Sequence, residues 1–102
     1  MATVKQLSQR KEQRITSRMF VEVSSLEDKE EIKFDALTSD ISDSGAGLVT
    51  YIPLPVGTNI SIDIDGVTIA TGEIIDVDIW ECCGLARMGV RFIDTNEEWP
   101  LY

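Results

Sequence analysis

The sequence contains no histidine. That removes the commonest general base, every Ser-His or Cys-His nucleophile arrangement and the imidazole ligands that zinc sites favour. Only two cysteines occur, Cys82 and Cys83, and they are adjacent. Neighbouring cysteines rarely close an unstrained disulfide and do not have the spacing of a metal-binding pair. They read as reduced thiols in a turn, with no His or Lys beside them to activate either one. No stretch approaches the ~20 apolar residues that cross a bilayer, and no charged-then-apolar signal segment opens the chain. A cytoplasmic location is therefore expected. Nothing in this inventory argues for catalysis or for a metal, so the chain is not expected to be an enzyme and no cofactor is expected.

Basic residues are also scarce, except at one end. Positions 19–102 carry four of them against 17 acidic residues, net −13. Positions 1–18 carry Lys5, Arg10, Lys11, Arg14 and Arg18 against Glu12 alone, net +4. An acidic body repels the phosphates of a long nucleic acid, and it has no aromatic strip on which single-stranded bases could stack. DNA and RNA are therefore not expected partners. A basic arm suits a small, compact anion held at one end, or simple pairing with the acidic body.

What is present fits one domain of 102 residues, 43% hydrophobic and 26% charged. From Met1 to Gln13 only Val4 and Leu7 are sizeable apolar residues, so residues 1–18 are expected to form a flexible arm. Within it, Arg10 and Arg14 stand four apart. A guanidinium is always charged and planar, and it bonds phosphate or the O6/N7 edge of guanine through two parallel hydrogen bonds. Residues 19–102 read as a series of short strands. Met19, Val21 and Val23 alternate with Phe20, Glu22 and Ser24; Ile32, Phe34 and Ala36 start a second strand; Leu48 to Ile52 is a third, stopped by Pro53; and Ile60, Ile62 and Ile64 alternate with Ser61, Asp63 and Asp65. Asp65-Gly66 is a strong two-residue hairpin signal. Val67, Ile69, Ile75, Val77 and Ile79 are expected to share a face of the next strand, with a bend near Gly72. Met88, Val90 and Phe92 make the last strand, and Thr95 to Glu98 fits a capping box for a short helical turn. Six strands with frequent turn signals predict a small antiparallel barrel or sandwich.

The stretch Thr38-Ser39-Asp40-Ile41-Ser42-Asp43-Ser44-Gly45-Ala46-Gly47-Leu48 stands apart. Asp and Ser side chains bond nearby backbone and hold tight turns, while glycine permits left-handed backbone or close approach of a partner. It reads either as a plain turn or as an edge where a ligand meets backbone and short acceptors. The parity shift between Ala36, Leu37 and Ile41 predicts a bulge just before it.

Arg10-x-x-x-Arg14 followed by Asp40-x-Ser42-x-x-Gly45 resembles the PilZ domain, a bacterial receptor for cyclic di-GMP. The resemblance extends through Gly47-Leu48, Leu54-Pro55-Val56-Gly57-Thr58 and Gly89-Val90-Arg91-Phe92, in order over nearly the whole chain. It implies an all-β fold, a six-stranded antiparallel β-barrel at 19–102, with the 1–18 arm carrying the arginine motif over the ligand. By the resemblance, Arg10 and Arg14 take guanine edges and phosphates, Asp40 and Ser42 meet the guanine base, and Gly45 lets ligand and backbone approach. Gln9, Lys11, Arg18 and Trp80 are further candidate contacts; Arg18, Arg87 and Arg91 otherwise read as strand-surface charges. The implied role is a non-enzymatic adaptor that changes conformation on binding cyclic di-GMP. It would then signal to a protein partner in bacterial motility, biofilm or exopolysaccharide control. The alternative is a PilZ-like module that binds protein and no nucleotide.

Overall fold

A computed structural model describes residues 15–16, 18–26 and 32–96. They form strands β1 (Ile15–Thr16), β2 (Phe20–Ser25), β3 (Lys33–Ile41), β4 (Gly45–Thr50), β5 (Asn59–Ile64), β6 (Val67–Trp80) and β7 (Leu85–Thr95). All pairings are antiparallel, and the order β3-β2-β5-β6-β7-β4 closes on itself through the β3–β4 pair. The result is the expected six-stranded closed barrel, with the two-residue β1 added beside β3. Among the described residues there is no helix, and hence none long and apolar enough to cross a membrane.

Alternation supplies the core. Val21 and Val23 of β2, Ile60 and Ile62 of β5, and Met88 and Val90 of β7 point inward with Ile41, Ala46, Leu48 and Ile74. Each fully buried aliphatic side chain stabilises the fold by about 1.5–3 kcal/mol relative to exposure. The Asp65-Gly66 hairpin joins β5 to β6 with both residues at positive φ, 52° and 81°, as a type I′ turn requires.

Two features differ from the sequence reading. The strand expected at Leu48–Ile52 runs instead from Gly45 to Thr50, so most of the polar stretch is itself strand. The inward face of β6 is only partly the expected aliphatic set: Ile69 is buried and Val77 packs against the core, but Ile74 is fully buried in place of Ile75, and Val67 and Ile79, near the strand ends, are exposed. The exchange of Ile75 for Ile74 comes from the register shift against β7 at Ile74/Asp76, which leaves Ile75 as an extra residue of β6 and resets the alternation on which the reading depended. A second shift against β7, at Thr71/Gly72, leaves its extra residue, Ile93, on β7 and falls where the bend near Gly72 was expected. Thr95, the expected cap, is the last residue of β7, and Glu97 and Glu98 of the expected helical turn lie outside the described residues.

Candidate functional site

The expected bulge is present but falls inside the polar stretch and not ahead of it: Thr38 pairs with Leu48 and Asp40 with Gly47, leaving Ser39 as the extra residue of β3. Just before it, Thr38 is fixed from the β2 side. Its Oγ1 accepts from the Met19 amide at 2.8 Å, and its own amide donates to the Met19 carbonyl at 2.9 Å. After the bulge, Asp40 faces outward and Ile41 inward, where it is fully buried.

Ser42 is also buried, and its hydroxyl accepts from the Gly45 amide at 3.2 Å and donates to the Gly45 carbonyl at 3.3 Å. The Ser42 amide donates to that same carbonyl at 2.9 Å. The serine thus braces the three-residue connection between β3 and β4. Gly45 is required by the neighbouring strand, since a Cβ there would stand 2.3 Å from the Val90 carbonyl oxygen.

Asp40, Gly47, Gly89 and Asp76 lie in register across β3, β4, β7 and β6. The two central positions have no side chain, so the outer barrel wall carries a shallow trough with a carboxylate at each rim. Arg87 lies in it. Its Nη2 donates to Asp40 Oδ1 at 3.2 Å, and its Nη1 stands 3.9 Å from Asp76 Oδ1. Ser39 Oγ also donates to Asp40 Oδ1, at 3.2 Å. Both glycines are needed for this arrangement. A Cβ at Gly47 would meet Arg87 Nη2 and Asp40 Oδ1 at 2.5 Å each, and one at Gly89 would meet Asp76 Oδ1 at 2.6 Å. Arg87 is therefore part of the site and not only the surface charge the sequence suggested. Its alternation with buried Ala86 and Met88 gave the outward direction but not the partner across two strands. Arg91 is likewise paired, with Glu73 at 2.8 Å.

Ile15 pairs with Ile41 and Thr16 with Asp40, so the described chain begins beside the polar corner, and Arg14 is the residue that precedes Ile15. Arg10, Arg14, Gln9 and Lys11 lie outside the described residues. Arg18 is exposed in the link between β1 and β2. Trp80, 37% exposed, ends β6 opposite Leu85. Four residues of strand separate it from Asp76, about 13 Å, so the structure does not gather it with Asp40.

Cys82 and Cys83 are free, exposed thiols in the β6–β7 turn. A hydrogen bond from Cys82 Sγ to Cys83 Sγ, 3.6 Å, with the charge of the Cys83 thiolate, pushes the Cys82 thiol above its ordinary value. Among the described residues there is no group of His, Cys, Asp or Glu that could hold a metal ion.

A family model described as PilZ domain matches residues 8–98 of the chain. No curated protein sequence matches it.

Proposed function

Because the chain belongs to the PilZ domain family, a family of cyclic di-GMP-binding modules, we propose that it binds cyclic di-GMP on the outer barrel wall at the Asp40–Gly47–Gly89 trough. The observation that carries this reading is the β1–β3 pairing. It sets the residue after Arg14 beside Ile41, next to the Asp40-x-Ser42-x-x-Gly45 corner, although the two motifs are far apart in sequence.

The chemistry divides between the two motifs. Arg10 and Arg14, with donors only, bond phosphate oxygens and the guanine O6/N7 acceptors. They cannot read the guanine N–H groups. Asp40 does so, because a carboxylate offers two oxygens and about four acceptor positions. The bonds from Ser39 and Arg87 orient that carboxylate before the ligand arrives. Ser42 acts through the turn it braces, holding Asp40 and Gly45 in position. Arg87 covers the glycine floor, and a flat base reaches the wall as this partly exposed side chain moves aside. Ordering of the arm over the bound nucleotide is the conformational signal. It alters the basic surface offered to a protein partner in motility, surface attachment or exopolysaccharide control.

Calorimetric titration with cyclic di-GMP, with GTP as control, tests the reading. Wild type is expected to bind cyclic di-GMP selectively, and Arg14→Ala and Asp40→Ala each to weaken it by roughly ten- to a hundredfold, equivalent to 1–3 kcal/mol. Absence of binding heat together with unchanged tryptophan emission in wild type overturns it.

A further inference from the structure

Closing a barrel normally leaves no strand edge, but β6 is longer than its neighbour on one side. Of its 14 residues, β5 covers only Val67 to Glu73. Ile74 is then tied to the connection that leads into β5. Its carbonyl accepts from the Gly57 amide at 2.7 Å, and its amide donates to the Thr58 carbonyl at 3.0 Å. Past the bulged Ile75, β6 pairs with β7 from Asp76 to Trp80, and no strand among the described residues pairs with the other edge of Ile75–Trp80.

This edge has two distinct faces. Asp76, whose carboxylate lies over Gly89, marks the outer face, which alternation extends to Asp78 and Trp80. Val77 packs against the core cluster and marks the other face. Ile79 continues that face beyond the core and is 60% exposed. The residues 74–84 carry Asp76, Asp78 and Glu81 and no Lys or Arg.

We infer that the Ile75–Trp80 edge is a docking site for an extended segment of a partner protein, added to the sheet as a further strand. That segment carries Lys or Arg at the alternate positions that face Asp76 and Asp78, and aliphatic residues at the positions that face Val77 and Ile79. Main-chain hydrogen bonds supply affinity in strand addition, and alternate side chains supply selectivity. Charge decides the occupant. A second copy of this chain paired through the same edge would set acidic residues against acidic residues, which is destabilising in cross-strand pairs. A basic strand reverses that sign. The same acidic residues protect the free edge from self-association. The inference does not depend on nucleotide binding.

The test is residue-resolved amide hydrogen exchange on the full chain, with two synthetic peptides of about ten residues, enough for one strand. In one, lysine alternates with valine and isoleucine; the other has the same composition with its lysines grouped at one end. In the free protein, the amides of Ile75–Trp80 that point away from β7 are expected to exchange fast. The alternating peptide should slow them, the grouped peptide should not, and Asp78→Lys should weaken the alternating peptide about fivefold. Asp78 is exposed, and the wild-type exchange pattern is decisive without the variant. The proposal is overturned if these amides are already slow in the free protein, meaning the edge is covered by this chain or a second copy. It is equally overturned if a saturating alternating peptide leaves them fast, or if both peptides slow them equally.

Discussion

Two corners of this barrel are built from the same residue types and do opposite things. At the β5–β6 corner, Asp65 and Gly66 both adopt positive φ, and a Cβ added at Gly66 would meet nothing within 4 Å. Glycine is there for its backbone freedom alone. At the β3–β4 corner, Ser42, Asp43 and Ser44 turn the chain without any residue at positive φ, and Gly45 and Gly47 are already strand residues. These glycines are there because other atoms occupy the space a side chain would take. Those atoms are backbone at Gly45, but the ends of Arg87, Asp40 and Ser39 at Gly47. Asp, Ser and Gly in a short run therefore do not by themselves distinguish a connector from a site. What lies across the strand does.

Alanine substitutions put this comparison on an energy scale. Gly45→Ala is expected to have the largest effect, about 3 kcal/mol in urea unfolding, because its Cβ meets the Val90 carbonyl and the backbone must shift. A cost below about 1 kcal/mol would mean that β4 can move off β7 easily, and the contrast between corners would fail. Gly66→Ala should cost about 1–2 kcal/mol, the strain of a left-handed residue, with ligand affinity unchanged. Gly47→Ala should cost the least in stability, under about 1 kcal/mol. The atoms in its way are the ends of side chains, and the Arg87–Asp40 pair it disturbs is partly exposed. Its affinity for cyclic di-GMP should nevertheless fall about tenfold by calorimetry, since the trough floor is raised and Asp40 displaced. A Gly47→Ala variant that binds like wild type would remove the trough from the site.

The fold was legible because a barrel wall with one wet face writes its alternation into the sequence. Val21 and Val23, Ile60 and Ile62, and Met88 and Val90 all point inward as expected. Alternation failed where β6 is irregular: Ile75 was expected inside, and the shift at Ile74/Asp76 puts Ile74 there instead. A bulge costs one residue and leaves no compositional mark, so counting by two carries the error onward. The candidate site was legible in part. Asp40, Ser42 and Gly45 stood out as a cluster of short polar residues and glycine, and the structure gathers them at one corner. Arg87 did not stand out, because a lone arginine between Ala86 and Met88 looks like any outward strand residue. Only the missing side chains of Gly47 and Gly89 let it reach Asp40.

By itself the sequence determined the all-β class, the inward faces of the regular strands, the Asp65-Gly66 hairpin and the uneven charge, basic over positions 1–18 and acidic over 19–102. Each is a local matter of side-chain period, turn stereochemistry or charge, readable within a few residues. Tertiary structure decided which residues meet: Ile15 beside Ile41, Arg87 over Gly47 onto Asp40, and the second half of β6 left with one partner. Those outcomes depend on strand register and closure. A shift of a single residue exchanges the two faces of a strand, and the positions brought together are separated by up to 47 residues of chain.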